Sequence, residues 1–170
     1  MRICLIFANR LFRDEELKIP MKYMKHNGHE VVFASDSLDR AQGKLGMQIT
    51  PDILADDIDV NDFDCLALVG GPGTKVFFHD KKLHNILIQA DRMHKVIGAI
   101  CISPVVLAEA GLLKGKNATV WIDGRDSIIE KGAVYKDKPV VVHDNIVTAD
   151  GPKSAQAYAE ALEAVFLRDS

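Results

Sequence analysis

The sequence predicts an α/β fold with a mainly parallel sheet, and three observations carry that prediction. Short apolar runs at Ile3 to Ala8, Val31 to Ala34, Cys65 to Val69 and Val96 to Ile100 read as strands covered on both faces. Segments of helical spacing lie between most of them. Strands and helices in alternation imply parallel strands joined by right-handed crossovers, with helices on both faces of the sheet.

The elements follow in order. Ile3 to Ala8 comes after a single basic residue and could be mistaken for a signal peptide. The run is too short for that, and charge returns at Arg10 and Arg13, so it reads as a first strand. From Asp14 the period changes: Leu17, Pro20, Met21 and Met24 recur at helical spacing, and His26-Asn27-Gly28 closes the helix. Pro20 inside it costs an amide hydrogen bond. Val31 to Ala34 is the second strand. Asp36 to Asp62 is polar and irregular, with short strands expected near Met47 to Thr50. Cys65 to Val69 is a buried strand ending abruptly at Gly70-Gly71-Pro72-Gly73. A helix from Lys81 to His94 places Leu83, Ile86, Leu87 and Ala90 on one face. After the strand at Val96 to Ile100 come an apolar helix from Val105 to Leu112 and a strand from Ala118 to Trp121. Lys138 to Val142 and Ile146 to Ala149 form two more strands around a turn at His143-Asp144-Asn145. The last helix runs from Lys153 to Leu167.

Composition narrows the functional classes. A chain of 170 residues suits one domain, 1–170, and can bury a core without disulfides or metals. A formal net charge of −3 favours neither nucleic acid nor an anionic membrane as partner. No stretch approaches the ~20 apolar residues of a membrane span. The three cysteines, Cys4, Cys65 and Cys101, lack CxxC spacing. They argue against a disulfide framework and a structural zinc, and they fit a reducing compartment, so the expected location is the cytoplasm.

The segment that carries chemistry is Val96 to Ala108. A hydrophobic strand runs straight into Cys101, and Ser103-Pro104 opens a helix, with Ser103 as its expected cap. A cysteine on so short a corner follows the logic of a nucleophile elbow. The positive end of the helix and its free amides are expected to lower the thiol pKa and to bind an oxyanion. The competing reading is a buried structural cysteine, which is the one favoured for Cys4 and Cys65. Gly70-Gly71 offers amides for half an oxyanion hole, or else only a tight turn. Its spacing matches neither a phosphate loop nor a dinucleotide fingerprint. In Asp14-Glu15-Glu16 the carboxylates are either dipole partners facing water, or one of them turns inward towards Cys101.

These residues resemble a known family. Glu16 with Pro20, Val69-Gly70-Gly71-Pro72-Gly73, Ala99-Ile100-Cys101 with Pro104, and Leu107 to Gly115 leading into Ala118-Thr119 are similar to the motifs of the ThiJ/PfpI family, over nearly the whole chain. The resemblance implies a flavodoxin-like three-layer α/β/α sandwich with the cysteine on its elbow. It also implies that Glu16 is protonated and hydrogen-bonds the Cys101 sulfur, with oxyanion donors at the amides of Gly71 and Ile102. No metal and no organic cofactor are implied, and a homo-oligomer, dimer or hexamer, is expected.

The departures from the family pattern count as well. Protease-like members carry histidine where this chain has Ile102, so a Cys-His-acid triad lacks its base. The six histidines read as surface or capping residues. Trp121, where other members place histidine or tyrosine, is a candidate for lining the pocket. Asp150 stands where some members place an anion-binding arginine, which argues against phosphorylated or sulfated ligands. The resulting expectation is a cofactor-independent glyoxalase or deglycase acting on small reactive carbonyls or peptide-derived substrates, in stress protection. The alternatives are a cysteine redox sensor without turnover, an intracellular cysteine peptidase, and a binding or chaperone-like module with an incidental cysteine.

Overall fold

In the computed structural model, which describes residues 1–170, the first strand, β1 (Arg2–Phe7), is buried on both sides. Its alternating side chains send Cys4 and Ile6 to one face of the sheet and Ile3, Leu5 and Phe7 to the other. The chain continues through β2 (Arg10–Phe12), α1 (Asp14–His26), β3 (Glu30–Ser35), β4 (Ala41–Gly43), β5 (Gln48–Ile49), β6 (Ile53–Leu54) and β7 (Cys65–Leu68). It then passes through α2 (Lys81–Arg92), β8 (Val96–Ile100), α3 (Pro104–Glu109), β9 (Asn117–Ala118), α4 (Arg125–Glu130), β10 (Val134–Tyr135), β11 (Val140–His143), β12 (Ile146–Ala149) and α5 (Ala155–Arg168).

The main sheet has seven strands in the order β11-β12-β8-β7-β1-β3-β6, and only β11 runs antiparallel. Its five inner strands, taken in chain order, follow the 2-1-3-4-5 arrangement of flavodoxin-like proteins. Helices α1 and α5 cover one face, with Leu17, Met24, Tyr158, Leu162 and Val165 against Leu5, Ala67 and Ile100. Helices α2, α3 and α4 cover the other, with Leu83, Leu87, Leu107 and Ile128 against Ile6, Leu66 and Ile97. The result is the predicted three-layer α/β/α sandwich. No helix is long and apolar enough to cross a membrane.

Three local expectations are corrected. The strand read at Ala118 to Trp121 is only Asn117–Ala118, and Trp121 opens a 3-10 turn instead. The helix read from Val105 to Leu112 ends at Glu109, because Gly111 in the left-handed region closes it early. The polar stretch after Asp36 holds more strand than expected: β4 pairs with β2 and β5 in a small second sheet, and β6 extends the main one.

The carboxyl ends of β1, β7 and β8 lie side by side, since these strands pair in parallel register, Ile6 with Leu68 and Leu68 with Ala99. This brings three segments distant in sequence to one edge: the start of α1, the Gly70-Gly71 turn and Cys101.

Candidate active site

Cys101 sits between β8 and α3 with φ of 64°, in the left-handed region where a non-glycine residue stores about 1–3 kcal/mol of strain. Both of its backbone groups are tied. Its amide donates to the carbonyl of Ala149 at 2.9 Å, and its carbonyl accepts from the Trp121 amide at 2.7 Å. Ser103 braces the same corner. Its side chain makes no helix-cap bond, contrary to the sequence reading. Instead Oγ accepts from the Ile100 amide at 2.8 Å and lies 2.7 Å from the Ile100 carbonyl and 3.3 Å from that of Leu68. The hydroxyl is short enough to close a turn on the strand behind it, which a cap geometry would not permit.

Glu16, on the first turn of α1, is fully buried, so of the two readings of the acidic cluster the inward one describes it. Asp14 is also turned inward, but it serves the fold: its carboxylate accepts from the amides of Leu45 and Met47 at 2.9 and 2.7 Å. Glu15 pairs with the Arg13 guanidinium at 2.8 and 3.1 Å. The Glu16 Oε2 accepts from the Gly70 amide at 2.8 Å. Its Oε1 is buried without a hydrogen-bond partner, and the carboxyl lies beside the Cys101 thiol, close enough for each group to shift the titration of the other.

Gly70 is what lets these groups meet. A Cβ there would stand 2.5 Å from Glu16 Oε2 and 2.6 Å from the Cβ of Cys101. Because its amide is spent on Glu16, Gly70 is not an oxyanion donor, which corrects that expectation. Gly71, at φ of 111°, and Ile102 do present their amides to the Cys101 sulfur. Those two donors are placed to hold an oxyanion formed beside it.

Burial pushes the Glu16 carboxyl up to about 7, with the bonds from Cys101 and Gly70 pulling the other way. The thiol does not move as the helix-end argument expects. Burial, and then the adjacent Glu16 charge, push Cys101 up to about 12, while the amides of Ile102 and Gly71 pull it down. Burial disfavours the thiolate, the carboxylate lies beside it, and α3, only six residues long, is too short to offset both. Cys4 and Cys65 are fully buried in the sheet, and burial raises both thiols.

Cys101 opens into a cavity of about 450 Å³ lined by Arg13, Lys44, Gly71, Lys75, Ile102 and Trp121 among others. A larger one of about 930 Å³ adjoins it, sharing Arg13, Trp121 and Pro152 and adding Asp150. Trp121 thus stands at the rim of both. None of the six histidines lines either cavity. His84 is not a surface residue, as its sequence position suggested, but is buried with Nε2 3.2 Å from the Phe77 carbonyl. Arg13, Lys44 and Lys75 escaped sequence reasoning. Only Arg13 carried a signal, through its proximity to Glu16; Lys44 lies in the irregular stretch, and its place depends on the small sheet.

Comparisons with known proteins bear on the family and the fold. The sequence model of the DJ-1/PfpI family matches residues 1–164. Deglycase PfpI of Pyrococcus furiosus is 34% identical over 158 residues, covering 93% of this chain and 95% of that protein. The glutathione-independent glyoxalase DJR-1.2 of Caenorhabditis elegans is 30% identical over 132 residues, covering 78% of this chain and 70% of that protein. The crystal structure of a ThiJ/PfpI domain protein from Brachyspira murdochii superposes with a TM-score of 0.95 at 28% identity, covering 99% of this chain and 97% of that one.

Proposed function

This chain belongs to the DJ-1/PfpI family, and from that premise we propose that it converts small reactive carbonyls to hydroxy acids without a cofactor, with Cys101 as nucleophile and Glu16 as proton carrier. The observation that carries the reading is the Glu16–Cys101 contact: a buried carboxyl whose pKa lies near neutrality, bonded to a thiol that opens into a cavity.

Methylglyoxal is one such carbonyl. The Cys101 thiolate adds to the aldehyde carbon, and the amides of Gly71 and Ile102 hold the oxygen that becomes negative. That oxygen takes a proton to give a hemithioacetal. Glu16 as carboxylate removes the proton from the former aldehyde carbon while the neighbouring ketone oxygen takes one up, giving an enediol; a proton then returns to that neighbouring carbon as the hydroxyl on the sulfur-bearing carbon loses its own, giving a thioester of lactate. Water attacks the thioester, the C–S bond breaks, and lactate leaves with the thiol restored. The net reaction adds one water and needs no oxidant. Deglycation of peptide-derived adducts would begin with the same thiolate addition.

A raised thiol does not oppose this. When the one proton shared by the pair sits on the Glu16 carboxyl, the carboxyl is neutral and can donate to the sulfur, so both the charge and the hydrogen bond favour thiolate. A peptidase reading loses support, because no histidine lines the cavity. A redox-sensor reading keeps one: Cys101 is the only cysteine not fully buried. Mild peroxide followed by mass spectrometry separates it, with oxygen added first at Cys101 in the absence of carbonyl turnover.

Methylglyoxal conversion to lactate, without added thiol, tests the main proposal in wild type, Cys101→Ser and Glu16→Gln. Turnover by wild type that both variants lose supports it. An inactive wild type, or lactate formation that survives Cys101→Ser, removes it.

A further inference from the structure

The charges around the cysteine cavity have a consequence for what enters it. Its wall carries three cations, Arg13, Lys44 and Lys75, against one carboxylate, Asp123. Arg13 is held by Glu15, but Lys44 and Lys75 make no ion pair. The adjoining larger cavity has the opposite balance, with Glu15, Asp137 and Asp150 against Arg13 and Lys153. The two cavities therefore differ in charge: the one that holds Cys101 is lined mainly by cations and the adjoining one mainly by carboxylates.

The two lysines are placed by the fold. The Lys44 amide donates to the Phe12 carbonyl at 2.8 Å, and the next amide, that of Leu45, donates to the buried Asp14 carboxylate. Lys75 lies on the 3-10 turn that begins beside Gly71, and its carbonyl accepts from the Phe78 amide at 3.2 Å. Both backbones are tied by these hydrogen bonds, and a lysine is a mobile point charge that can follow a small anion. Asp150, which argued against anionic ligands in the sequence, lies in the outer cavity, where its Oδ1 accepts from Ser154 Oγ at 2.5 Å.

We propose that the cysteine cavity selects carbonyl compounds that carry an anionic group, carboxylate or phosphate, close to the reacting carbon, with Lys44 and Lys75 as the specificity-determining residues. This deepens the reading of Cys101 as nucleophile and rests on it. Compared with a neutral carbonyl, the anion is drawn to the sulfur end and repelled from the outer cavity, which sets the direction in which the substrate lies.

The test reads alkylation of Cys101, so it does not depend on turnover. Iodoacetate and iodoacetamide differ chiefly in charge; in each, sulfur displaces iodide as the S–C bond forms. Second-order rates at Cys101 are taken by mass spectrometry for wild type, for the Lys44→Gln/Lys75→Gln double variant, and for Lys82→Gln, a surface change on α2. The expected result is an iodoacetate-to-iodoacetamide ratio that falls roughly five-fold in the double variant, stays at the wild-type value in Lys82→Gln, and falls in wild type as sodium chloride is raised. Slowing of iodoacetamide by acetate but not inorganic phosphate assigns a carboxylate, and the reverse assigns a phosphate. An unchanged ratio in the double variant, with iodoacetamide still reacting, overturns the selectivity while leaving the nucleophile intact. Failure of both reagents to modify Cys101 overturns the nucleophile and the selectivity together.

Discussion

The Gly70 amide donates to Oε2 of Glu16 at 2.8 Å, and this bond holds the carboxyl beside Cys101, while its Oε1 is left buried without a partner. The Gly70 carbonyl meanwhile accepts from the Arg13 amide at 2.9 Å, so one glycine holds the start of α1 by both of its backbone groups. Glu16 and Cys101 are 85 residues apart in the chain. What joins them is a glycine whose two backbone groups are bonded to the start of α1 and whose missing side chain leaves room for both.

The first prediction concerns how the pair titrates. Loss of the first proton from the pair gives thiolate with carboxyl or thiol with carboxylate, and the reactive form is a share of that state. Alkylation of Cys101 by iodoacetamide should therefore rise with pH through about 7, the value to which burial brings Glu16, rather than through the far higher value of the thiol. In Glu16→Gln the midpoint should move above neutrality. A midpoint that stays near 7 in that variant would show that another group is titrating.

The same carboxyl governs stability. Its folded pKa is raised from 4.5 to about 7, so the folded state holds the proton longer than the unfolded chain does. That advantage is complete below 4.5 and is lost as pH rises through 7. Relative to Glu16→Gln, wild type should lose up to about 3 kcal/mol between pH 4.5 and pH 8. Urea midpoints for both proteins across that range check it; parallel pH profiles would contradict a buried, ionisable Glu16.

Gly70→Ala should separate reactivity from folding. The new methyl would press on Glu16 Oε2, the Cys101 Cβ and the Ile100 carbonyl at once. Displacing the pair by as little as ~1 Å is expected to slow turnover or alkylation about 100-fold, while overpacking costs about 1–3 kcal/mol. Stopped-flow alkylation beside a thermal melt distinguishes the two; a variant that reacts at the wild-type rate would mean that the Gly70–Glu16 approach is unimportant.

The sheet and its helices were legible because buried parallel strands leave continuous apolar runs, as at Cys65 to Val69, and because Gly28 and Pro104 mark helix ends. Cys101 was legible for the same reason, as the residue at which such a run stops. The pieces that stayed hidden are those set by tertiary contact. The short strand Ala41–Gly43 has no periodicity of its own and exists through pairing with Arg10–Phe12. The direction of the thiol shift followed first from burial and then from the contact with Glu16, which together outweigh a short helix and which no local pattern records. Gly70 read as an amide donor to substrate, because nothing in a Gly-Gly pair says which amide the protein spends on itself.

Ser103 braces the elbow from behind the strand. Its hydroxyl is fully buried, accepts from the Ile100 amide and donates to a carbonyl, either that of Ile100 or that of Leu68. Ser103→Ala would leave the Ile100 amide without this acceptor in the core, at a cost of about 1–3 kcal/mol. Because Ile100 immediately precedes Cys101, the loss should also loosen the left-handed corner. Urea unfolding should show the destabilisation, and alkylation of Cys101 should become slower and less sharply dependent on pH. Ser103→Thr keeps the hydroxyl and should recover the pH profile even where its extra methyl costs stability. If alanine instead behaves like wild type in both measurements, the corner is held by the bonds of Cys101 to Ala149 and Trp121 alone.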